Sequence, residues 1–235
     1  MNQRENPRSQ IERFFRQGNL RGLLKKSAEI HGHYCSFLAL GVKATYLAFK
    51  QLGIVENPGM EEVMVQVDCN NCFTDGIQGV SGCTFGNNGM IYRDLGKTSA
   101  TFWLRRKKEA IRITVKPYEE IKPGGALGEK LNQLFEKAIR QRKKLSPEES
   151  AQMAELSRQA SFWMLRRPWE EVFKIEWVKS PKIEYAPIFD SVICKKCGES
   201  VMETHIRLKQ GRALCLLCAG ESYYRVIGRG IQPGK

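Results

Sequence analysis

The sequence predicts an α+β protein, an antiparallel sheet with helices packed on it, followed by a small C-terminal zinc-binding domain. Three observations carry this. "EEVMVQVD" alternates Val63, Val65 and Val67 with Met64 and Gln66, the period of a strand, and β-branched and aromatic segments follow it. On both sides of that block lie stretches of helix formers with apolar residues three and four apart. Near the C-terminus, two Cys-x-x-Cys pairs stand in a compact, turn-rich stretch.

Taken in order, "SQIERFFRQGN" and "NLRGLLKKSAEI" read as helices, with Ser9 and Asn19 as candidate caps. The next helix carries Phe37, Leu40, Gly41, Ala44, Leu47 and Ala48 on one face and Val42, Tyr46 and Phe49 on another. Apolar residues on both faces predict that it is buried, and Gly53 is placed to end it. After the Val63–Val67 strand come a cysteine-rich stretch and a Gly/Asn turn. "GMIYRDLG", "SATFWLRR" and "EAIRITVKP" then predict a meander of antiparallel strands. Beyond Pro123, "GGALGEKLNQLFEKAIRQRKK" and "SPEESAQMAELSRQASFWMLRR" read as helices, the second opened by Ser146 as cap, Pro147 and a capping box completed by Glu149. "FKIEWVKS" is one more strand. "SPKIEYAPIFDS" has two prolines and no period and marks a linker, so the expected domains are 1–180 and 181–235.

At 235 residues and 42% hydrophobic composition the chain can bury a core. The sequence shows neither an apolar run of about 18 residues nor a secretory apolar region at its start, so a cytoplasmic protein without a membrane span is expected. In a reducing compartment its eight cysteines are expected to serve metals or catalysis. The net charge of +13 favours anionic partners without choosing among them. The basic runs "RRKK" and "RQRKK" read as a solvated strand turn and a helix C-terminus.

Cys194, Cys197, Cys215 and Cys218 form two pairs with seventeen residues between them. Each pair closes a knuckle, and Gly198 relieves the first turn, so four thiolates can complete a tetrahedral structural zinc site with no open position. His205 lies in the intervening loop but is left out, because the set is already complete.

Two of the three histidines sit in "EIHGHYC", so His31, His33 and Cys35 crowd the start of the long helix. On a helix His31 and Cys35 would share a face; in an extended segment His33 and Cys35 would. A thiolate at a helix N-terminus is expected to have a lowered pKa. Outside the C-terminal set the other cysteines are Cys69, Cys72 and Cys83, the first two a Cys-x-x-Cys pair suited to metal or redox chemistry. Asp75, three residues after Cys72, would face the same way if a helix begins at Asn70 or Asn71.

"HGHYCSFLALGVKA" and "CFTDGIQGVSGCTFGNNGMIYRDLGKTSATFW" together resemble the FmdE family of formylmethanofuran dehydrogenase components, with its His-Gly-His-x-Cys, Cys-x-x-Asp-x-x-Gln and Gly-Cys-Thr-x-Gly motifs leading to a Gly-Lys. The resemblance spans approximately residues 15 to 180. It implies an α+β core that forms intimate homodimers, in some members with a C-terminal zinc-binding unit. It also implies a pocket formed by His31, His33, Cys35, Cys72, Asp75, Gln78, Cys83 and Lys97. This chain has "CSF" where the family often has Cys-Pro-Gly, and Asn70 and Asn71 before Cys72, so its turn is expected to differ in shape.

Imidazole and thiols make a transition-metal set, so His33, Cys35 and Cys72 are candidate ligands of a second metal, with Asp75 as ligand or as a partner orienting a histidine. In the redox alternative Cys35 is the reactive thiol and Cys72 or Cys83 resolves it. The resemblance implies an accessory subunit, or a stand-alone relative, in formylmethanofuran-type one-carbon redox metabolism. Partners would be larger oxidoreductase subunits, which carry the molybdenum or tungsten cofactor, or a small-molecule ligand. The chain is too small to be the complete dehydrogenase. The alternative is a zinc-ribbon-like regulatory module binding nucleic acid or protein through Lys195, Lys196, Arg207, Lys209 and Arg212. No helix suited to reading DNA is evident, so nucleic acid is the less favoured partner.

Overall fold

Helix α1 (Ser9–Arg16) starts without a side-chain cap; Ser9 is its first residue rather than its cap. Asn19 does cap α2 (Leu20–His31), its side chain accepting the Gly22 N–H at 2.9 Å. The computed structural model describes residues 6–234, so the outermost ends of the expected domains, residues 1–5 and 235, lie outside it. The chain separates into two units between Pro181 and Lys182.

Helix α3 (Ser36–Leu52) is the spine of the first unit. Leu38, Ala39, Leu40, Val42, Ala44 and Ala48 are fully buried, and Gly53 ends the helix in the left-handed conformation. Its one lysine before the last turn, Lys43, is also buried and donates to the carbonyl oxygens of Leu165 and Arg167 at the end of α7 (Pro147–Arg166). Burial, with Arg167 nearby, pushes the Lys43 pKa down to about 8.

The sheet has the order β2-β1-β3-β4-β5, from β1 (Val63–Val67), β2 (Met90–Tyr92), β3 (Ser99–Leu104), β4 (Glu109–Val115) and β5 (Phe173–Lys179). β1–β3, β3–β4 and β4–β5 are antiparallel, as the alternation predicts. β2 differs. It pairs with β1, in parallel, at the sheet edge, because α4 (Cys72–Ser81) intervenes and carries the chain back before β2 begins. Val63, Val65 and Val67 face the helices together with Phe102, Ile111 and Ile113, while Met64, Trp103 and Ala110 form a smaller cluster. At the end of β1 the fully buried Asp68 meets Arg93, Arg112 and Ser99. Burial opposes its ionisation, but those hydrogen bonds outweigh it and hold the carboxyl below the usual range.

After the one-turn α5 (Tyr118–Ile121), α6 (Gly125–Phe135) runs into a π turn over Glu136–Arg140. The predicted capping box of α7 is present: Glu149 N–H donates to Ser146 Oγ at 3.1 Å and Ser146 N–H to Glu149 Oε2 at 2.9 Å. The one-turn α8 (Trp169–Val172) leads into β5. In the "RRKK" turn, Arg105 and Arg106 pair with Glu61 and Glu62. Among the described residues no helix is long and apolar enough to cross a membrane.

The second unit opens with an exposed stretch without regular structure. Three hairpins follow: β6 (Ser191–Ile193) with β7 (Ser200–Met202), β8 (Ile206–Lys209) with β9 (Arg212–Cys215), and β10 (Tyr223–Ile227) with β11 (Gly230–Gly234). The one-turn α9 (Leu216–Ala219) follows β9. The core of this unit is Cys194, Leu214, Cys215 and Ala219, with Val201 and Cys218 against it. So small an apolar cluster cannot hold such a unit folded without a further link.

Candidate metal centres

Helix packing assembles the N-terminal cluster. His31 is the last residue of α2, and Gly32, at φ 85°, turns the chain out of that helix in a conformation that disfavours any side chain. The segment is therefore neither one helix nor one strand. Cys35, in extended backbone, caps α3, its Sγ accepting the Leu38 N–H at 3.4 Å. Cys72 opens α4, whose cap is Asn71: Asn71 Oδ1 accepts the Phe73 N–H at 3.0 Å. α3 and α4 cross at Gly41 and Gly76. A Cβ on Gly41 would lie 2.0 Å from the Phe73 carbonyl oxygen, and one on Gly76 2.3 Å from that of Leu38. This close crossing draws the two helix starts together.

The result is a set of four donor atoms, from His31, His33, Cys35 and Cys72, all within 4.8 Å of one another. Cys35 Sγ is 3.8 Å from His31 Nε2, and the His31 and His33 rings lie 4.2 Å apart. His31 Nδ1 meets Asp75 Oδ2 at 2.7 Å, and Gln78 Nε2 donates to Asp75 Oδ1 at 3.1 Å. Asp75 thus accepts the Nδ1–H and leaves Nε2 facing Cys35, a tautomer assigned from these contacts. His31 is nearly enclosed, with 9% of its side chain exposed, whereas His33 is exposed, so the cluster opens to solvent on the His33 side.

The charges of the two thiols are coupled. Cys72, accepting from Cys35, is held down to about 6 against the opposing effect of burial, with His31 and His33 assisting. Cys35, donating to Cys72 and buried, is pushed up. The lowered thiol of the pair is therefore Cys72, not the predicted Cys35, although both stand at helix starts.

The remaining predicted residues lie around or apart from this set. Asp75 and Gln78 stand behind His31. Lys97 is exposed, its backbone N–H donating to the Asp68 carbonyl at 3.0 Å. Cys83 is fully buried in the core, donating to the Val63 carbonyl at 3.3 Å; burial pushes its thiol up to about 11. Cys69 is not paired with Cys72: it is buried and donates to Asn71 Oδ1 at 3.5 Å. Sequence reasoning missed Tyr118, which stacks on Phe37, two residues after Cys35, with ring centroids 5.2 Å apart. It also missed the Asp68 cluster, whose members are scattered along the chain and carry no shared motif.

In the second unit Cys194, Cys197, Cys215 and Cys218 bring four Sγ atoms within 4.8 Å of one another. Gly198, at φ 77°, closes the first knuckle, its N–H donating to the Cys194 carbonyl at 2.9 Å. Backbone N–H groups face the sulfurs: that of Cys215 lies 3.3 Å from Cys194 Sγ, and that of Cys218 lies 3.4 Å from Cys215 Sγ. The amides of Cys197, Cys215 and Lys196 hold the Cys194 thiol down to about 6, as suits a metal-binding thiolate. His205 stays outside this set, its Nδ1 2.8 Å from Thr204 Oγ1.

A family model described as "FmdE, Molybdenum formylmethanofuran dehydrogenase operon" matches residues 30–174, the stretch that carries the N-terminal cluster and strands β1 to β4. The chain belongs to the FmdE family. It is 42% identical over 218 residues to a "Probable S-adenosyl-L-methionine-binding protein" of Archaeoglobus fulgidus. That match covers 92% of this chain but 57% of the relative, so the chain spans little more than half of that protein's length. The fold is also that of an FmdE-like protein of the tungsten formylmethanofuran dehydrogenase type from Syntrophus aciditrophicus, at a TM-score of 0.54 and 18% identity over 86% of this chain and 92% of that one.

Proposed function

We propose that this FmdE-family chain is a metalloprotein of one-carbon redox metabolism, an accessory subunit or a stand-alone relative of formylmethanofuran-type dehydrogenases. The N-terminal cluster holds one metal ion that a small ligand can reach, and the C-terminal cluster holds a structural zinc. The observation that carries this reading is the convergence of His31, His33, Cys35 and Cys72 on one point, with one imidazole exposed and the other fixed by Asp75. Two imidazoles and two sulfurs suit zinc or a neighbouring transition ion. A bound ion would supply Lewis acidity; the chain supplies a preformed thiolate at Cys72, a proton to be released from Cys35 and a fixed His31 tautomer.

The family membership supports a homodimer through the first unit. Light scattering should give twice the 26.8 kDa chain mass, and a monomer at micromolar concentration would remove this part of the reading.

Elemental analysis of anaerobically purified protein tests the metal reading. Two metal ions per chain are expected, falling to one in Cys72→Ser. A single ion, retained in Cys72→Ser and lost in Cys197→Ser, would leave only the C-terminal site. Co-purification with larger molybdenum- or tungsten-containing subunits would separate the accessory role from the stand-alone one.

The 42% identity supports a second reading, in which the metal-loaded N-terminal cluster takes S-adenosyl-L-methionine. Equilibrium dialysis with that compound, on metal-loaded and metal-free protein, should show binding only when loaded; no binding in either state would leave that ligand to the remainder of the relative. The zinc-ribbon alternative has less support, because part of its basic set is engaged internally: Lys209 pairs with Glu221 at 3.0 Å, and Arg207 donates to the Ile206 carbonyl at 2.9 Å.

A further inference from the structure

We infer that Cys35 and Cys72 form a reversible redox pair, a disulfide that closes between the starts of α3 and α4 and removes both sulfur donors from the N-terminal cluster at once. The consequence for metal loading rests on the metal reading above; the disulfide itself rests on the placement of the thiols.

That placement singles out one pair. The two sulfurs lie within 4.8 Å of each other. Disulfide formation brings sulfurs to roughly 2 Å, a change that side-chain rotation and small shifts of two half-buried first turns can supply. The helix crossing at Gly41 and Gly76 holds those turns opposite one another. The competing thiols are engaged elsewhere. Cys69 faces Asn71 Oδ1 at 3.5 Å and Thr74 Oγ1 at 3.9 Å, so the Cys-x-x-Cys spacing does not deliver a working pair. Cys83 is fully buried, in contact with the Val63 carbonyl and the Asn57 amide. Entry for a small oxidant is on the exposed His33 side.

With hydrogen peroxide as oxidant the step balances. One thiol sulfur attacks a peroxide oxygen, the O–O bond breaks, and a sulfenic acid and one water form. The second sulfur attacks the first, the S–O bond breaks, and the hydroxide released leaves as water with the second thiol's proton. Two thiols have then lost two electrons and one peroxide has become two waters. His31 and His33 remain, and two imidazoles are a poor site for an ion that four donors would hold. A bound metal would occupy both sulfurs and block the reaction.

The test uses the full-length protein, purified reduced, dialysed against a chelator to empty the N-terminal cluster and treated with stoichiometric hydrogen peroxide, with and without cobalt(II) added back, then alkylated and mapped by peptide mass spectrometry. A cross-linked peptide joining Cys35 to Cys72 is expected in the cobalt-free sample and in Cys69→Ser. Thiol reductant should abolish it, and cobalt loading should suppress it. Free alkylation of both cysteines after peroxide, or pairing of Cys72 with Cys69, would overturn the inference. Cobalt uptake by the reduced protein in excess of one ion at the four-cysteine site, read separately from its absorption spectrum, keeps the two proposals apart. Uptake without a cross-link keeps the metal site and removes the redox pair, whereas a cross-link without uptake keeps the pair and removes the metal site.

Discussion

The two cysteine-bearing clusters use the same donor chemistry but are assembled in opposite ways. In the second unit two knuckles, Cys194–Cys197 and Cys215–Cys218, carry every donor, around a core of a few residues. In the first unit His31 and Cys35 meet Cys72 across an intervening helix and strand, on a scaffold with a large core of its own. A site made of local turns depends on its ion for its fold; a site made by packed helices depends on the packing and can lose its ion with the fold intact.

The largest effect that would sharpen this contrast is expected from Cys197→Ser. Metal binding at such a unit contributes on the order of 10 kcal/mol of its folding free energy, so zinc should be lost and the chain beyond Lys182 should become protease-sensitive, while the first unit keeps its circular dichroism. Protease resistance retained without zinc would break the comparison on this side.

Gly41→Ala attacks the other site through its scaffold. The added methyl meets the Phe73 carbonyl oxygen at 2.0 Å, an overlap that forces α3 and α4 apart and costs about 1–3 kcal/mol in denaturant unfolding. Cobalt binding at the N-terminal cluster should fall and C-terminal zinc should not. A destabilised variant with full cobalt affinity at the first site would show that the crossing does not set the cluster.

Asp75→Asn removes the carboxylate that fixes His31 while keeping its shape. Cobalt affinity should fall about 10- to 100-fold, with little change in the unfolding midpoint. Unchanged affinity would mean that His31 needs no such partner.

The pH dependence follows from the opposite shifts of the two thiols. Above about 6 Cys72 is already a thiolate, while Cys35, pushed up, must lose its proton to bind metal. In mildly alkaline buffer, affinity at the first site should therefore rise about tenfold per pH unit, one proton being released per ion bound. Below about 6 it should fall more steeply, as Cys72 also takes up a proton. A flat profile would place Cys35 outside the ligand set. The smallest effect is expected from His205→Ala, within about 0.5 kcal/mol and with metal content unchanged, because His205 lies on an exposed turn outside the four sulfurs.

The buried helix Ser36–Leu52, its glycine stop, the Val63–Val67 strand and the capping box at Ser146 were legible because each depends on neighbours a few positions away. The four-sulfur set was legible for the same reason, since its spacing is its geometry. Less legible was the edge strand Met90–Tyr92. Its composition reads as a strand, but its parallel partner is set by the path of Cys72–Ser81.

In the first unit, residue types alone showed that His31, His33, Cys35 and Cys72 could serve chemistry together. The Cys-x-x-Asp-x-x-Gln motif favoured Cys72 over Cys69, but nothing in the spacing set Cys83 apart or assigned Asp75 to a nitrogen of His31. Packing made that choice. Gly41 and Gly76 let two backbones approach to a distance that any Cβ would block, and this carries Cys72 to the cluster while Cys69 turns to the Asn71 cap and Cys83 sinks into the core. The location of the proton is likewise a property of the assembled pair, because each thiol's charge depends on the burial and hydrogen bonding of the other. Residue spacing is enough where a metal can gather neighbouring turns, and it is not enough where distant helix starts must first be brought into contact by the core.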